Sequence, residues 1–150
     1  MIKRTLLAAV AAALVAACGG DGGGTTGPQT LNISGTWTFS DNISSATAGI
    51  SCNSSGNATL TQSGSNFTGT VNATTGVCTD SFGGSVDNTG TQSVTGGQIS
   101  GTSVSFQVPF CQLSGSVSGN PANAMSGSET CTLDIGGTSY QFTGTWQASR

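Results

Sequence analysis

The chain has 150 residues, of which 6% are charged and none is histidine. The length supports one domain at most, less whatever processing removes, and the lack of histidine excludes Ser-His-Asp and Cys-His nucleophiles. From residue 18 onward, six acidic residues less the single base Arg150 give a net charge of −5. That balance excludes an electrostatic footprint for nucleic acid, so we predict no nucleic-acid partner.

The first eighteen residues carry the most specific signal in the chain. A basic start over residues 1–4 precedes an apolar stretch over residues 5–17, which is too short to span a bilayer. The stretch ends Leu14-Val15-Ala16-Ala17-Cys18. This resembles the lipobox of bacterial lipoproteins, with Val15 where leucine is usual. The resemblance implies that residues 1–17 are a signal peptide and that Cys18 carries lipid, including palmitate.

A lipid-anchored protein of the cell envelope is therefore expected, with the membrane as its first partner. Gly19 follows the cysteine, where aspartate would indicate retention at the inner membrane. We accordingly predict the outer membrane, on its periplasmic or surface face. Residues 18–30 read as the acylated cysteine and a Gly-rich tether, and residues 31–150 as the domain. The alternative is an ordinary secretory signal with an incidental cysteine.

The domain reads as all-β. Apolar and polar residues alternate in about nine short segments, and glycine clusters separate most of them. A phrase of the form apolar, polar, Gly, Ser/Thr, apolar recurs, as in residues 33–37 and 142–146. Its copies in the first and last segments predict that these two strands meet. Residues 41–56 lack the alternation and are predicted to be a long loop.

The segments run in meander order, which predicts an up-and-down antiparallel barrel of about eight or nine strands. The alternative is a two-sheet β-sandwich. The Gly35-Thr36-Trp37 of the first strand resembles the Gly-x-Trp of the lipocalin and avidin-like group, the calycin barrels. That resemblance covers one short motif and implies a fold; it does not imply a particular ligand.

Four cysteines remain after Cys18, and they allow three connectivities. Hairpin symmetry favours Cys52–Cys78, centred on the turn at residues 64–65, and Cys111–Cys131, centred on residue 121. The competing pair, Cys78–Cys111, is centred on a weaker turn. Export to an oxidising compartment favours disulfides over a metal site. With neither histidine nor a Cys-x-x-Cys motif, we predict no metal and no cofactor.

Glu129 is the candidate polar residue of a ligand site. The hairpin registers place it on the apolar face, opposite Leu113 on one side and Gly144 on the other. An inward carboxylate is costly unless it is paired or solvated. The alternatives are a β-bulge that turns Glu129 outward or a position at the barrel mouth. Trp37 and Trp146 are candidate walls of the same site, or plain core residues.

These patterns support three hypotheses of function. The first is a monomeric, non-enzymatic binding module with an interior site for an apolar or sugar-like ligand, formed by Trp37, Glu129 and Trp146. The second is a structural or interaction lipoprotein that meets an envelope partner and whose barrel is filled by its own side chains. The third is a glycosidase that uses Glu129 and an aspartate. We predict no catalytic residue, and the size of the interior cavity separates the first two hypotheses.

Overall fold

The computed structural model of the protein describes residues 31–150, where every regular element is a β-strand. No helix in this range is long and apolar enough to cross a membrane. The predicted signal peptide, Cys18 and the tether lie outside the described residues. The strands are β1 (Gly35–Ser45), β2 (Ile50–Ser63), β3 (Asn66–Asp80), β4 (Ser85–Asp87), β5 (Gly90–Ser100), β6 (Ser103–Val108), β7 (Cys111–Ser118), β8 (Ala124–Ile135) and β9 (Thr138–Ser149).

Eight of these strands close into an antiparallel barrel. The pairing order is β2-β1-β9-β8-β7-β6-β5-β3, and a β2–β3 ladder completes the ring. The short β4 adds to one edge of β3 outside the ring. The first and last strands pair over Thr38–Ser44 and Thr143–Ser149, as their shared phrase predicts. The predicted meander barrel is thus confirmed over the sandwich alternative.

The prediction of a long loop over residues 41–56 is wrong. β1 continues to Ser45 and β2 begins at Ile50, so only a tight turn separates them. The inward positions of this hairpin include Asp41, Ser45 and Ser54, which are polar. They interrupt the apolar alternation that marks a half-buried strand, although the backbone ladder continues without a break.

The barrel has two ends that differ in structure. The mouth carries the β1–β2, β6–β7 and β8–β9 turns, and the base carries the β2–β3, β5–β6 and β7–β8 turns together with the C-terminus. At the base, the Arg150 guanidinium lies 4.2 Å from the centroid of the Trp37 ring. It donates to the backbone carbonyls of Ala122, Ser34 and Asn32 at 2.8, 2.6 and 2.9 Å. This contact closes the base.

The barrel interior contains two separate apolar clusters. The larger fills the base and the middle around Trp37, Phe106 and Trp146. The smaller lies towards the mouth and is formed by Ile43, Cys52, Cys131 and Phe142. A layer of polar side chains lies between them along the barrel axis.

Both predicted disulfides are confirmed. Cys52 bonds Cys78 across the β2–β3 pair, and Cys111 bonds Cys131 across β7 and β8. All four residues lie in the mouth half of their strands. The two bridges therefore cross-link the strand pairs that form the walls of the mouth, beside the smaller apolar cluster.

Candidate functional site

The polar layer consists of Asp41 on β1, Ser54 on β2 and Glu129 on β8. Strand alternation directs each of them inward, since Asp41 stands two residues from both Phe39 and Ile43, which are buried. Asp41 and Ser54 are direct partners in the β1–β2 ladder. Glu129 is separated from β1 by the single strand β9. The layer is thus built by register and closure of the barrel.

Glycine at position 144 gives the Glu129 side chain its space. Gly144 lies opposite Glu129 on one side and opposite Ile43 on the other. A Cβ atom at this position would lie 2.7 Å from the Ile43 Cα and closer still to the Asn42 carbonyl oxygen. The β9 and β1 backbones are therefore in close approach, which only glycine permits. No side chain stands between Glu129 and the interior at this point.

The Glu129 carboxyl is buried and has no hydrogen-bond donor among the described residues. The residue is 4% exposed, and its Oε2 has no hydrogen-bond partner in the described part of the chain. Oε1 lies 3.2 Å from Sγ of Cys131. That sulfur is bonded to Cys111 and has no proton to donate. An unsatisfied buried carboxylate is strongly unfavourable.

Asp41 is the better satisfied of the two acids. It is half-buried, and its Oδ1 accepts a hydrogen bond of 2.6 Å from the Ser54 hydroxyl. Burial raises the pKa of Asp41 above its ordinary value, while hydrogen bonds from the side chain and backbone of Ser54 act to lower it. Ser54 thus uses its hydroxyl proton on Asp41 and has none to donate to Glu129.

Burial and the neighbouring charge act in the same direction on Glu129. Desolvation, and secondly the negative charge of Asp41, raise its pKa from 4.5 to about 7. No basic side chain compensates, because the only lysine or arginine in the described range is Arg150 at the base. The protonation state of the buried Glu129 carboxyl is therefore expected to change near neutral pH.

The acidic layer faces a small cavity. Its volume is about 110 Å³, and both Asp41 and Glu129 line it. The cavity reaches the surface beside the first residues of β5 and the β6–β7 turn, where Phe110 is 74% exposed. Its other walls are mostly apolar and include cysteines of both disulfides. The apolar part of the lining includes Phe39, Ile43, Cys52, Val71, Ala73, Cys78, Phe106, Val108, Cys111, Leu113 and Leu133, and the polar part includes Ser54, Asn88 and Gln92.

The two tryptophans that the sequence singled out do not line this cavity. Trp37 is fully buried, and its indole N–H donates to the Ile33 carbonyl at 2.9 Å. Trp146 is 2% exposed and donates to the Ser128 carbonyl at 3.1 Å. Its ring meets Phe106 edge-on at 5.2 Å. Both rings pack in the larger apolar cluster, and of the three candidate ligand residues Glu129 alone reaches the cavity.

Asp41 and Ser54 were missed by the sequence reading, because they fell in the predicted loop. The sequence nevertheless contains a pattern that identifies Asp41 as an inward residue. Continuing the alternation of Trp37 and Phe39 by two residues places Asp41 inward, and two more place Ile43 inward. An acid flanked by buried apolar residues at this spacing is the pattern of an interior carboxyl group.

A metal centre does not follow from the sulfur atoms beside Glu129. Cys111, Glu129 and Cys131 offer ligand atoms within 4.8 Å of one another. The two sulfurs are bonded to each other, whereas metal ligation by cysteine requires the thiolate. The oxidised protein thus offers a carboxyl group at this point, beside an inert bridge.

Comparison with known proteins found no match to this chain among family models, curated proteins or solved structures.

The pH dependence of stability tests the environment of Glu129. The folded state keeps the Glu129 proton up to about pH 7, whereas the unfolded chain releases it near its ordinary value of 4.5. The folded state binds more protons in this window, so the free energy of unfolding falls as pH rises. The whole shift corresponds to about 3 kcal/mol, and screening by solvent at the mouth reduces the expected loss to about 1–2 kcal/mol.

Urea unfolding of the wild type and of Glu129→Gln at a series of pH values checks this. Glutamine cannot ionise, so we expect the variant to lose less stability than the wild type between pH 4.5 and 7.5. Asp134→Asn is the matched control, because Asp134 is an exposed acid on the same strand, and it should keep the wild-type slope. Identical slopes for wild type and Glu129→Gln would show that Glu129 is fully solvated.

Proposed function

We propose that this protein is a lipid-anchored, non-enzymatic binding protein of the cell envelope, whose barrel holds a small ligand beside Glu129. The observation that carries the proposal is the Glu129 Oε2 atom, which is buried at a cavity wall and has no hydrogen-bond partner within residues 31–150. A fold retains such a cost where a ligand or ordered water meets the group. The ligand would enter at the mouth, and each barrel would bind one ligand molecule.

The size of the cavity narrows the ligand. Pockets for drug-sized molecules run from about 300 to 1,000 Å³, and this cavity has about 110 Å³. The sequence predicts an apolar or sugar-like ligand; a cavity of this size has no room for a sugar ring, and a small ligand with an apolar part fits better. A self-filled structural barrel remains the alternative, and the large apolar cluster of the base supports it.

The small volume of the cavity also weighs against the glycosidase hypothesis. Asp41 and Glu129 are two interior carboxyl groups, which is the residue set of that chemistry. A sugar ring with its scissile bond needs far more room than about 110 Å³. We therefore assign the two acids to binding.

The anchor and the compartment complete the proposal. The lipobox-like ending at Cys18 supports acylation, and two disulfides suit the oxidising conditions outside the cytoplasm. The membrane is the expected partner through lipid, with outer-membrane attachment and a monomeric barrel. The charge balance supports neither nucleic-acid binding nor electrostatic attachment to anionic lipid.

The N-terminal peptide of the exported protein tests the anchor. We expect mass spectrometry to find a peptide that begins at Cys18 and carries acyl chains, because more than one chain is needed for stable anchoring. Cys18→Ala should leave the protein in the soluble envelope fraction. A wild-type mature terminus at another residue, without lipid, would contradict lipid anchoring and leave the barrel's binding function to be judged separately.

The cavity is tested by titrating the purified, disulfide-intact protein with a panel of neutral, cationic and anionic compounds of about three to eight non-hydrogen atoms. We expect at least one class to shift the NMR methyl signals of Val71 and Leu113 saturably. Val108→Phe, which fills the cavity from its wall, should abolish the shifts. Val86→Phe makes the same change at an exposed site and should not. A panel without any saturable shift would favour the self-filled structural barrel.

A further inference from the structure

On the basis of the proposed binding function, we further propose that the ligand is a compact organic cation, with a primary ammonium group bound by Glu129 and Asp41 and a short alkyl chain against the apolar walls. Two features support this ligand class: the acceptor oxygens of Asp41, Ser54 and Glu129 at the inner end of the cavity, and the absence of a basic side chain beside them among the described residues.

The inner end of the cavity, formed by Asp41, Ser54 and Glu129, offers mainly hydrogen-bond acceptors, and the amide side chains of Asn88 and Gln92 line the cavity on the side of β5. Glu129 Oε2 is unpartnered and its Oε1 meets only a disulfide sulfur. Asp41 accepts hydrogen bonds from the Ser54 hydroxyl and backbone, and a carboxylate has further lone pairs with which to accept. Ionised carboxylates only accept, whereas an ammonium group has three donors and no acceptor. One ammonium group therefore complements both carboxyl groups at once.

Charge points to the same class. Two acids share this layer, and the negative charge of Asp41 acts on Glu129. Arg150 is the only basic residue within residues 31–150. It lies at the base of the barrel against Trp37 and donates hydrogen bonds to three backbone carbonyls. Within residues 31–150 no internal cation neutralises the layer. An anionic guest would add to the repulsion, and a neutral alcohol would leave the carboxylate charge uncompensated.

The walls favour an organic cation over a metal ion. Calcium takes six to eight oxygen ligands, whereas the inner end offers the side-chain oxygens of Asp41, Ser54 and Glu129, and most other residues of the lining are apolar. Phe39 and Phe106 are part of these walls, and aromatic rings stabilise a neighbouring ammonium group. An apolar cavity of about 150 Å³ binds benzene, so this cavity of about 110 Å³ holds roughly four non-hydrogen atoms, which is the size of propylammonium.

Three probes of nearly equal shape and different charge test the proposal: n-propylammonium, 1-propanol and propionate. Each is titrated into the oxidised full-length protein at pH 8, where Glu129, with a pKa of about 7, is mostly ionised. Binding is followed by the methyl shifts of Val71 and Leu113. We expect propylammonium to saturate with a Kd at least about tenfold below that of 1-propanol, and propionate not to bind.

Variants separate the charge from the shape of the site. Glu129→Gln should weaken propylammonium about tenfold or more while leaving 1-propanol within about twofold, and Asp41→Asn should weaken it in the same direction. Asp134→Asn, on the exposed face of the same strand, should leave both affinities unchanged. Asp41→Asn keeps the test decisive if Glu129→Gln does not fold, which the methyl spectrum reports directly.

The possible outcomes are distinct. Tighter binding of 1-propanol or propionate than of propylammonium overturns the cation class and leaves the binding function in place. Tighter binding of Ca²⁺, titrated as a fourth probe, also overturns it. Failure of all these probes, together with failure of the wider panel, overturns the binding function itself. Weakening of propylammonium by lowering the pH from 8 to 6, in step with protonation of Glu129, supports the proposal.

Discussion

Closure of a narrow eight-stranded barrel requires neighbouring backbones to approach closely, and the rest of the structure depends on where this happens. Gly144 marks one such place, because a Cβ atom there would meet the β1 backbone. A side chain at position 144 would also stand directly opposite Glu129. The same glycine that permits closure therefore leaves the Glu129 carboxyl facing open interior. Architecture and candidate site have one physical origin.

The polar layer is costly, and the molecule is reinforced on both sides of it. The Glu129 carboxyl, whose Oε2 has no partner among residues 31–150, lies between the two apolar clusters. Towards the mouth, two disulfides cross-link the strands, each contributing typically about 2–4 kcal/mol. Towards the base, Arg150 ties the C-terminus to Trp37 and to the start of the chain. An unfavourable buried carboxyl group at the centre, offset by disulfides at the mouth and by the Arg150 contacts at the base, is the pattern expected of a functional site.

Much of the fold could be predicted because strands alternate strictly. The registers that placed Cys111 opposite Cys131, and Glu129 opposite Gly144, followed from the centres of two hairpins and hold in the structure. The same logic failed where the alternation itself was broken. Asp41 and Ser54 face inward but are polar, so the β1–β2 hairpin read as a loop. Sequence reasoning thus found one half of the acidic pair and missed the other at the point where function overrides the core pattern.

The tryptophans show a different limit of sequence reasoning. Trp37 and Trp146 have the amphipathic ring that suits either a ligand wall or a core. Which role applies depends on whether the indole N–H finds a partner inside the protein, and both do so on backbone carbonyls. That depends on how the closed barrel brings Ile33 and Ser128 to them. Alternation within one strand carries no information on such contacts between distant segments.

The central claim is that Glu129 ionises inside the barrel, beside a cavity that a cation can enter. A direct measurement is the titration of its side-chain carboxyl carbon by ¹³C NMR in the ligand-free protein and again with saturating propylammonium. The account predicts an apparent pKa of about 7 without the cation and a fall of about one unit or more with it. An apparent pKa near the ordinary 4.5 in the free protein, or no response to the cation, would contradict it.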